Sequence, residues 1–371
     1  MNIFFKKRAH ILQNQNQRLS RTIITAGVVS LAAYVMVQIF SPERPLPYSD
    51  KMIHAAQIME KAVTIIGDYC DTSGIKIDKT IDPNRTGLIG PEYSGLMTTI
   101  GHLEAKRTTT NPDIAALIVH LLDRAGVTAG DTVAVGGSAS FPALMVASLA
   151  AAKAMEIYPV VIISLGASSY GATNTEFNLL DIYKLLLNEG VFTVQPAAVS
   201  LGGEKDIGKN FEPDIKERLI RQIQLSGIPF IYESNLRKNV LMRMKIYEGN
   251  SSEGRISAFI NIGGSDANFG ISQLALKLKP GLNKKMSIPS KEERGVLFEM
   301  AARDIQVIHL LYIKGLALEY GLAWDLIPLP KPGETKLHDT QSHNNIEFLL
   351  ISIIYFLGLF MLVFYRKKKF P

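Results

Sequence analysis

Two uncharged apolar runs, one near each end, constrain this chain of 371 residues more than any other feature. Thr22–Phe40 carries no charge over 19 positions. At about 1.5 Å per residue, a helix of that length nearly covers a hydrocarbon core of about 30 Å. A cleaved signal peptide is the rival reading, but the run is long for one and no A-x-A site follows it. Ile346–Tyr365 is the second run, with Glu347 at its outer edge and six aromatics, Phe348, Tyr355, Phe356, Phe360, Phe364 and Tyr365. Its rival, a buried core helix, fits poorly with a chain-terminal position closed by Arg366-Lys367-Lys368-Lys369.

Charge sets the expected orientation. The chain is +6 overall, yet residues 1–21 hold Lys6, Lys7, Arg8, Arg18 and Arg21 with no acid, and the last six residues hold four cations with no acid. Residues 41–345 carry 31 Lys/Arg against 33 Asp/Glu. The basicity therefore belongs to the tails, which is the pattern of membrane topology and not of phosphate binding, so no nucleic-acid partner is expected. Both tails are expected in the cytoplasm, residues 1–21 and 366–371. Spans at 22–40 and 346–365 then form a hairpin in the inner or cytoplasmic membrane that exports the middle of the chain. ATP is scarce outside the cell, and the sequence has no G-x-x-x-x-G-K-S/T loop, so an ATP-driven ligase or kinase role is disfavoured. The one cysteine, Cys70, excludes an internal disulfide and a cysteine-based metal site.

The exported part divides into a proline-rich stalk at 41–48, a folded α/β domain at 49–330 and a polar linker at 331–345. Apolar residues Met52, Ile53, Ala56, Met59, Val63 and Ile66 predict a helix over Asp50–Tyr69. Runs without polar alternation predict strands at Thr132–Val135, Val160–Leu165, Ala197–Leu201, Pro229–Tyr232, Ala258–Ile262 and Ile305–Leu311. Helices are predicted between and around them at Pro112–Ala125, Pro142–Met155, Phe177–Glu189, Pro213–Ser226 and Arg294–Ala302, the first capped by Asn111 with Pro112 at its first turn. Such an alternation implies a mostly parallel sheet with helices on both faces.

Ligands of open parallel sheets bind beyond the carboxyl ends of the strands. Four predicted strands end there in glycine turns. These carry Gly136, Gly137, Ser138 and Ser140; Gly166 and Ser168; Gly202, Gly203 and Lys205; and Gly263, Gly264, Asp266 and Asn268. Glycine permits close backbone approach, and helix-start N–H groups favour an anion, so a shared anionic pocket is one reading and tight packing the other. Lys106 and Arg107, followed by three threonines before a helix start, are candidate clamps for carboxylates, or part of a solvated loop. The turn at Ser138 approaches the nucleophile elbow G-x-S-x-G, with Ser140 where the last glycine belongs. Ser138, Asp266 and His309 follow the chain order of an α/β-hydrolase triad; the competing reading makes Ser138 or Ser140 a helix cap and His309 a hydrogen-bonded core residue. His54, His102 and His120 lack metal-ligand spacing, and neither a metal nor a cofactor is expected.

Six ordered segments resemble the poly-γ-glutamate system protein family, a bacterial membrane family associated with ligase and export components. They are LEAKRTTTNPDIAALIVHLL, GDTVAVGGSASFPAL, IISLGASSYGA, AAVSLGGEKDIG, INIGGSDANFG and VIHLLYIKGLALEYGLAWDLIPLP, covering about 95–330. The resemblance implies a role in making, exporting or handling poly-γ-glutamate beside those other components, and supplies no catalytic residues. Two functions follow as expectations. In the first, the outer domain binds the anionic polymer or a related anion; in the second, it is a serine hydrolase or transpeptidase acting on that polymer. A module sensing glutamate or a sugar phosphate is a third. The net acidity of residues 41–345 means that polymer binding requires a locally positive groove.

Overall fold

Six apolar runs of the sequence become six neighbouring strands of one sheet. The computed structural model describes residues 20, 23–36, 48–251, 254–338 and 345–367. It separates into two compact units, residues 47–339 and the two chain ends.

Within residues 47–339 the order begins with α2 (Ser49–Thr72), β1 (Met97–Thr99), α3 (Leu103–Thr109), α4 (Asp113–Arg124), β2 (Thr132–Ser138) and α5 (Pro142–Met155). Next come β3 (Tyr158–Ser164), β4 (Ala167–Ser168), α6 (Leu179–Asn188), β5 (Ala198–Ser200), α7 (Pro213–Ser226), β6 (Phe230–Ile231) and α8 (Leu236–Gly249). The rest are β7 (Ala258–Ile262), α9 (Asp266–Phe269), β8 (Gly281–Asn283), α10 (Val296–Ala301), β9 (Gln306–Leu310) and α11 (Ile313–Tyr320). The sheet runs β6-β5-β3-β2-β7-β9-β8. Every pair is parallel except β8 with β9, which is antiparallel.

The strands β2, β3 and β7 are buried almost throughout, which explains their unalternating sequences. On one face, Ala134, Val160, Ile162 and Phe259 pack with Val240, Met244 and Tyr247 of α8 and Val296 and Phe298 near the start of α10. On the other, α5 lies against β2, β3 and β7, with α2 and α4 packed beyond it. Being sandwiched, α5 is apolar nearly all round. From β2 the chain passes to β3 on one side and returns later to β7 on the other, so the sheet's topological switch point lies between β2 and β7.

The domain continues past residue 330, where a linker is expected. Leu337 is fully buried. Gly333 and Thr335 donate backbone N–H bonds of 2.9 and 3.1 Å, and Thr335 a hydroxyl bond of 2.6 Å, to the carboxylate of Asp113 at the start of α4. The helix starts one residue later than expected, with Pro112 at its N-cap, and Asn111 Oδ1 accepts the Asp113 N–H at 2.9 Å. The segment expected to be a loop of cations and hydroxyls before α4 is the helix α3.

In the unit of the chain ends, residues 23–36 form helix α1 and Asn345–Lys367 form α12. Ser30 Oγ and Tyr355 Oη lie 2.8 Å apart, joining the two. As for the expected spans, among the described residues no helix is long and apolar enough to cross a membrane. Thr22 and residues 37–40 of the first expected span lie outside the described residues. Residues 41–47 of the expected stalk 41–48, residues 339–344 of the expected linker and the cations Lys6, Lys7, Arg8, Arg18, Arg21, Lys368 and Lys369 lie outside the described residues.

Candidate functional site

A cavity of about 890 Å³ opens at the switch point, between the strand ends and the β1–α3 segment. Ser138 reaches it from β2, Ser164 from β3, and Gly264, Ser265 and Asp266 from the turn after β7. Gly203 and Glu204 follow β5, and Leu311 and Tyr312 follow β9. A small parallel sheet stands over these strand ends, β1 paired with β4 so that Thr99 lies opposite Ser168. This pairing brings Ser168 to the wall, and α3, leading on from β1, supplies Lys106.

Lys106 is the distinctive group. It is only 3% exposed. Its Nζ donates to the backbone carbonyl of Ser140 and, over 2.7 Å, to Ser168 Oγ. The ammonium sits 3.7 Å from the centroid of the Phe141 ring. No carboxylate neutralises it among the described residues, and burial pushes its pKa down to about 7. Ser168 is held from behind, its own N–H donating over 3.0 Å to Ser140 Oγ. The hydroxyls of Ser138 and Ser164 are buried with no hydrogen-bond partner among the described residues. Such orphaned groups are uncommon away from functional sites.

The mouth has a different character. Glu104, Asp266, His102 and Lys314 are exposed there, and Glu204 is half-buried and paired with Lys209 at 2.6 Å. Ile100, Tyr312 and Trp324 add an apolar rim that is 83%, 64% and 37% exposed. Three carboxylates at the rim do not make the positive groove that a polyanion requires.

The expected triad is not assembled. Gly136 pairs with Asn261 of β7, and Asn261 with His309 of β9, so β7 stands between the strands of Ser138 and His309. Two strand spacings amount to about 10 Å. His309 Nδ1 lies 3.1 Å from Asn261 Nδ2, which donates to it, whereas a triad needs that nitrogen to donate to a carboxylate. Buried and edge-on to Phe269, His309 is held uncharged, its pKa pushed down to about 4 by desolvation. Asp266 instead accepts the backbone N–H of Lys205 at 3.1 Å.

The remaining expected ligand residues divide. Lys106, Ser140, Gly166, Ser168, Gly203 and Gly264 line the cavity, together with Ser138 and Asp266. Arg107 does not; it forms a two-pronged pair with Asp325 at 2.6 and 2.7 Å. Gly136 and Gly137 serve packing, since a Cβ would lie 2.8 Å from Asn268 Nδ2 and 2.3 Å from Met145 Cε respectively. Asn268 is correspondingly buried against Gly136, Gly202 lies against Gly166, and the Lys205 side chain is exposed. Gly263 has φ +80°, and a Cβ there would sit 2.3 Å from Ser138 Oγ, so only glycine lets the turn pass this close.

Sequence reading missed the network that fixes the turn after β5. Asp206 and Arg243 form a fully buried pair at 2.6 Å. Ser200 Oγ donates to Asp206 at 2.8 Å, and Asn239 Nδ2 at 2.9 Å. Arg243 Nε also donates to Asn239 Oδ1 at 2.8 Å. An arginine within one helical turn of the apolar Val240, Met244 and Tyr247 carries the available signal.

Among the described residues no three His, Cys, Asp or Glu side chains gather as metal ligands. No family model, curated protein or solved structure matches the chain.

Proposed function

We propose that this chain is a two-pass membrane component of poly-γ-glutamate synthesis or export whose cavity takes one γ-glutamyl unit or chain end. Its tails would lie in the cytoplasm and residues 47–339 outside the cell membrane. The topology rests on the basic flanks of the two apolar runs. The Ser30–Tyr355 contact supports the two runs lying side by side. The pathway rests on the six segments that resemble the family, and places the chain beside ligase and export components.

The observation that carries the ligand reading is the unneutralised Lys106 among serine hydroxyls at the switch point. A carbonyl or carboxylate oxygen entering there meets one buried cation and two unpartnered hydroxyls. The apolar rim of Ile100, Tyr312 and Trp324 suits the methylene pairs of a γ-linked backbone. The rim carboxylates oppose a run of ionised side chains, so the ligand is one unit or an end, and the polymer interior stays outside. This replaces the binding of a polymer length with the binding of a single unit.

The test uses polymer-producing cells that lack the gene, complemented with the full-length chain or its Lys106→Gln variant. Loss or shortening of polymer in the deletion, restored by the natural chain and not by the variant, is expected. Polymer unchanged in amount and length in the deletion overturns the pathway; full restoration by the variant overturns the site.

A further inference from the structure

We infer that Ser168 and Lys106 form a nucleophile–base pair, and that the cavity catalyses acyl transfer from an amide. The inference rests on the proposed function only for the identity of that amide. No triad histidine is needed, because a desolvated lysine can activate a serine directly.

Four features of the geometry support it. The Nζ–Oγ distance is 2.7 Å, within reach for proton transfer. Both partners are fixed: Lys106 by its second bond to the Ser140 carbonyl, and Ser168 by its N–H bond to Ser140 Oγ and the β4–β1 pairing. Both face a cavity large enough for a substrate residue. The orphaned hydroxyls of Ser138 and Ser164 line the same cavity and are free to donate to a developing oxyanion. Burial also leaves an appreciable uncharged fraction of Lys106 near neutrality, and only the free amine can accept a proton. Ser138 has no base bonded to it, and Ser140 Oγ is occupied by the Ser168 N–H.

The chemistry balances without a further reagent beyond water or an acceptor amine. Ser168 Oγ bonds to the amide carbon as its proton passes to Lys106 Nζ, and the carbonyl π pair moves to oxygen. The tetrahedral species collapses, the C–N bond breaks, and Lys106 returns the proton to the leaving amine. The ester on Ser168 is then attacked by water, whose proton goes to Lys106; the C–Oγ bond breaks and Ser168 recovers its proton. Water yields a carboxylic acid, and an amine acceptor yields a new amide.

The test treats the detergent-solubilised full chain with a fluorophosphonate probe and maps the adduct by mass spectrometry. Labelling of Ser168 is expected, slowed by about 100-fold or more in both Lys106→Gln and Lys106→Arg, as loss of a general base requires. Arginine keeps the charge but cannot act as the base, so a merely structural role of the cation would be rescued by it. Ser168→Ala should abolish labelling, with circular dichroism spectra unchanged across the variants. No adduct, an adduct on Ser138 instead, or an undiminished rate in Lys106→Arg overturns the pair. Binding of a γ-glutamyl oligomer, measured separately, distinguishes the two claims. An oligomer that binds without Ser168 labelling leaves the proposed function standing and overturns this inference; labelling without oligomer binding does the reverse.

Discussion

Lys106 Nζ lies 2.7 Å from Ser168 Oγ in a site where no carboxylate balances the lysine among the described residues. Holding that cation buried opposes folding. Its pKa falls from 10.5 to about 7 on folding, so between those values the unfolded chain holds a proton that the folded chain has released. Stability therefore rises with pH across that window, by about 1.4 kcal/mol per unit, and the penalty is complete below it. The other titratable groups lining the cavity, His102, Glu104, Glu204, Asp266, Tyr312 and Lys314, are shared by a Lys106→Met variant. That variant should be more stable than the natural chain at pH 6, by about 1–3 kcal/mol after loss of two hydrogen bonds, with the gap narrowing towards pH 10. Thermal melts at both pH values check this; a gap independent of pH contradicts it.

The buried Asp206–Arg243 pair fixes the turn that brings Gly203 and Glu204 to the cavity. Removing one partner leaves the other charge buried and uncompensated. Asp206→Ala or Arg243→Ala should each destabilise by about 3–5 kcal/mol. Denaturation of the two single variants and the double variant measures the coupling. The double variant should be less unstable than the sum of the singles, because it leaves no lone charge.

Gly263→Ala faces two separate obstacles, a φ of +80° and a contact of 2.3 Å with Ser138 Oγ. The backbone part costs about 1–2 kcal/mol by itself. Loss of about 2–4 kcal/mol is expected in the natural background. In a Ser138→Ala background the penalty should fall towards the backbone part alone, since Ser138 Cβ is 3.5 Å away. Melting temperatures of the four proteins in the cycle decide this.

Topology can be read with introduced cysteines. Burial, followed by the charges of Asp71 and Asp82, raises the pKa of Cys70 to about 11, so the natural chain should react little with maleimides. Leu225 is 82% exposed on α7. In intact spheroplasts an impermeant maleimide should label Leu225→Cys and spare Lys7→Cys until lysis. The opposite pattern reverses the orientation.

The main sheet was legible because strands buried on both faces leave continuous apolar runs, as in Val160–Leu165 and Ala258–Ile262. β1 and β4 were not, at 3 and 2 residues, because their pairing is set by the chain folding back over the strand ends. A cavity at the strand ends was foreshadowed by the glycine turns. The side chains that meet there did not, because they depend on strand order. Insertion of β7 between β2 and β9 separates Ser138 from His309 despite their suggestive chain order. Lys106 and Ser168 are brought together from 62 positions apart, a separation with no local spacing rule behind it. Arg107 looked as suitable a clamp as Lys106, and only the position of Asp325 shows that it is already paired.

Isothermal titration of the solubilised full chain with a short γ-linked glutamate oligomer tests the ligand site most directly. Saturable binding is expected, weakened by about tenfold or more in Lys106→Gln, as loss of a charged hydrogen bond implies. An α-linked oligomer of equal charge should bind less well. Absence of binding to the natural chain, or equal affinity in the variant, would contradict the assignment of this cavity.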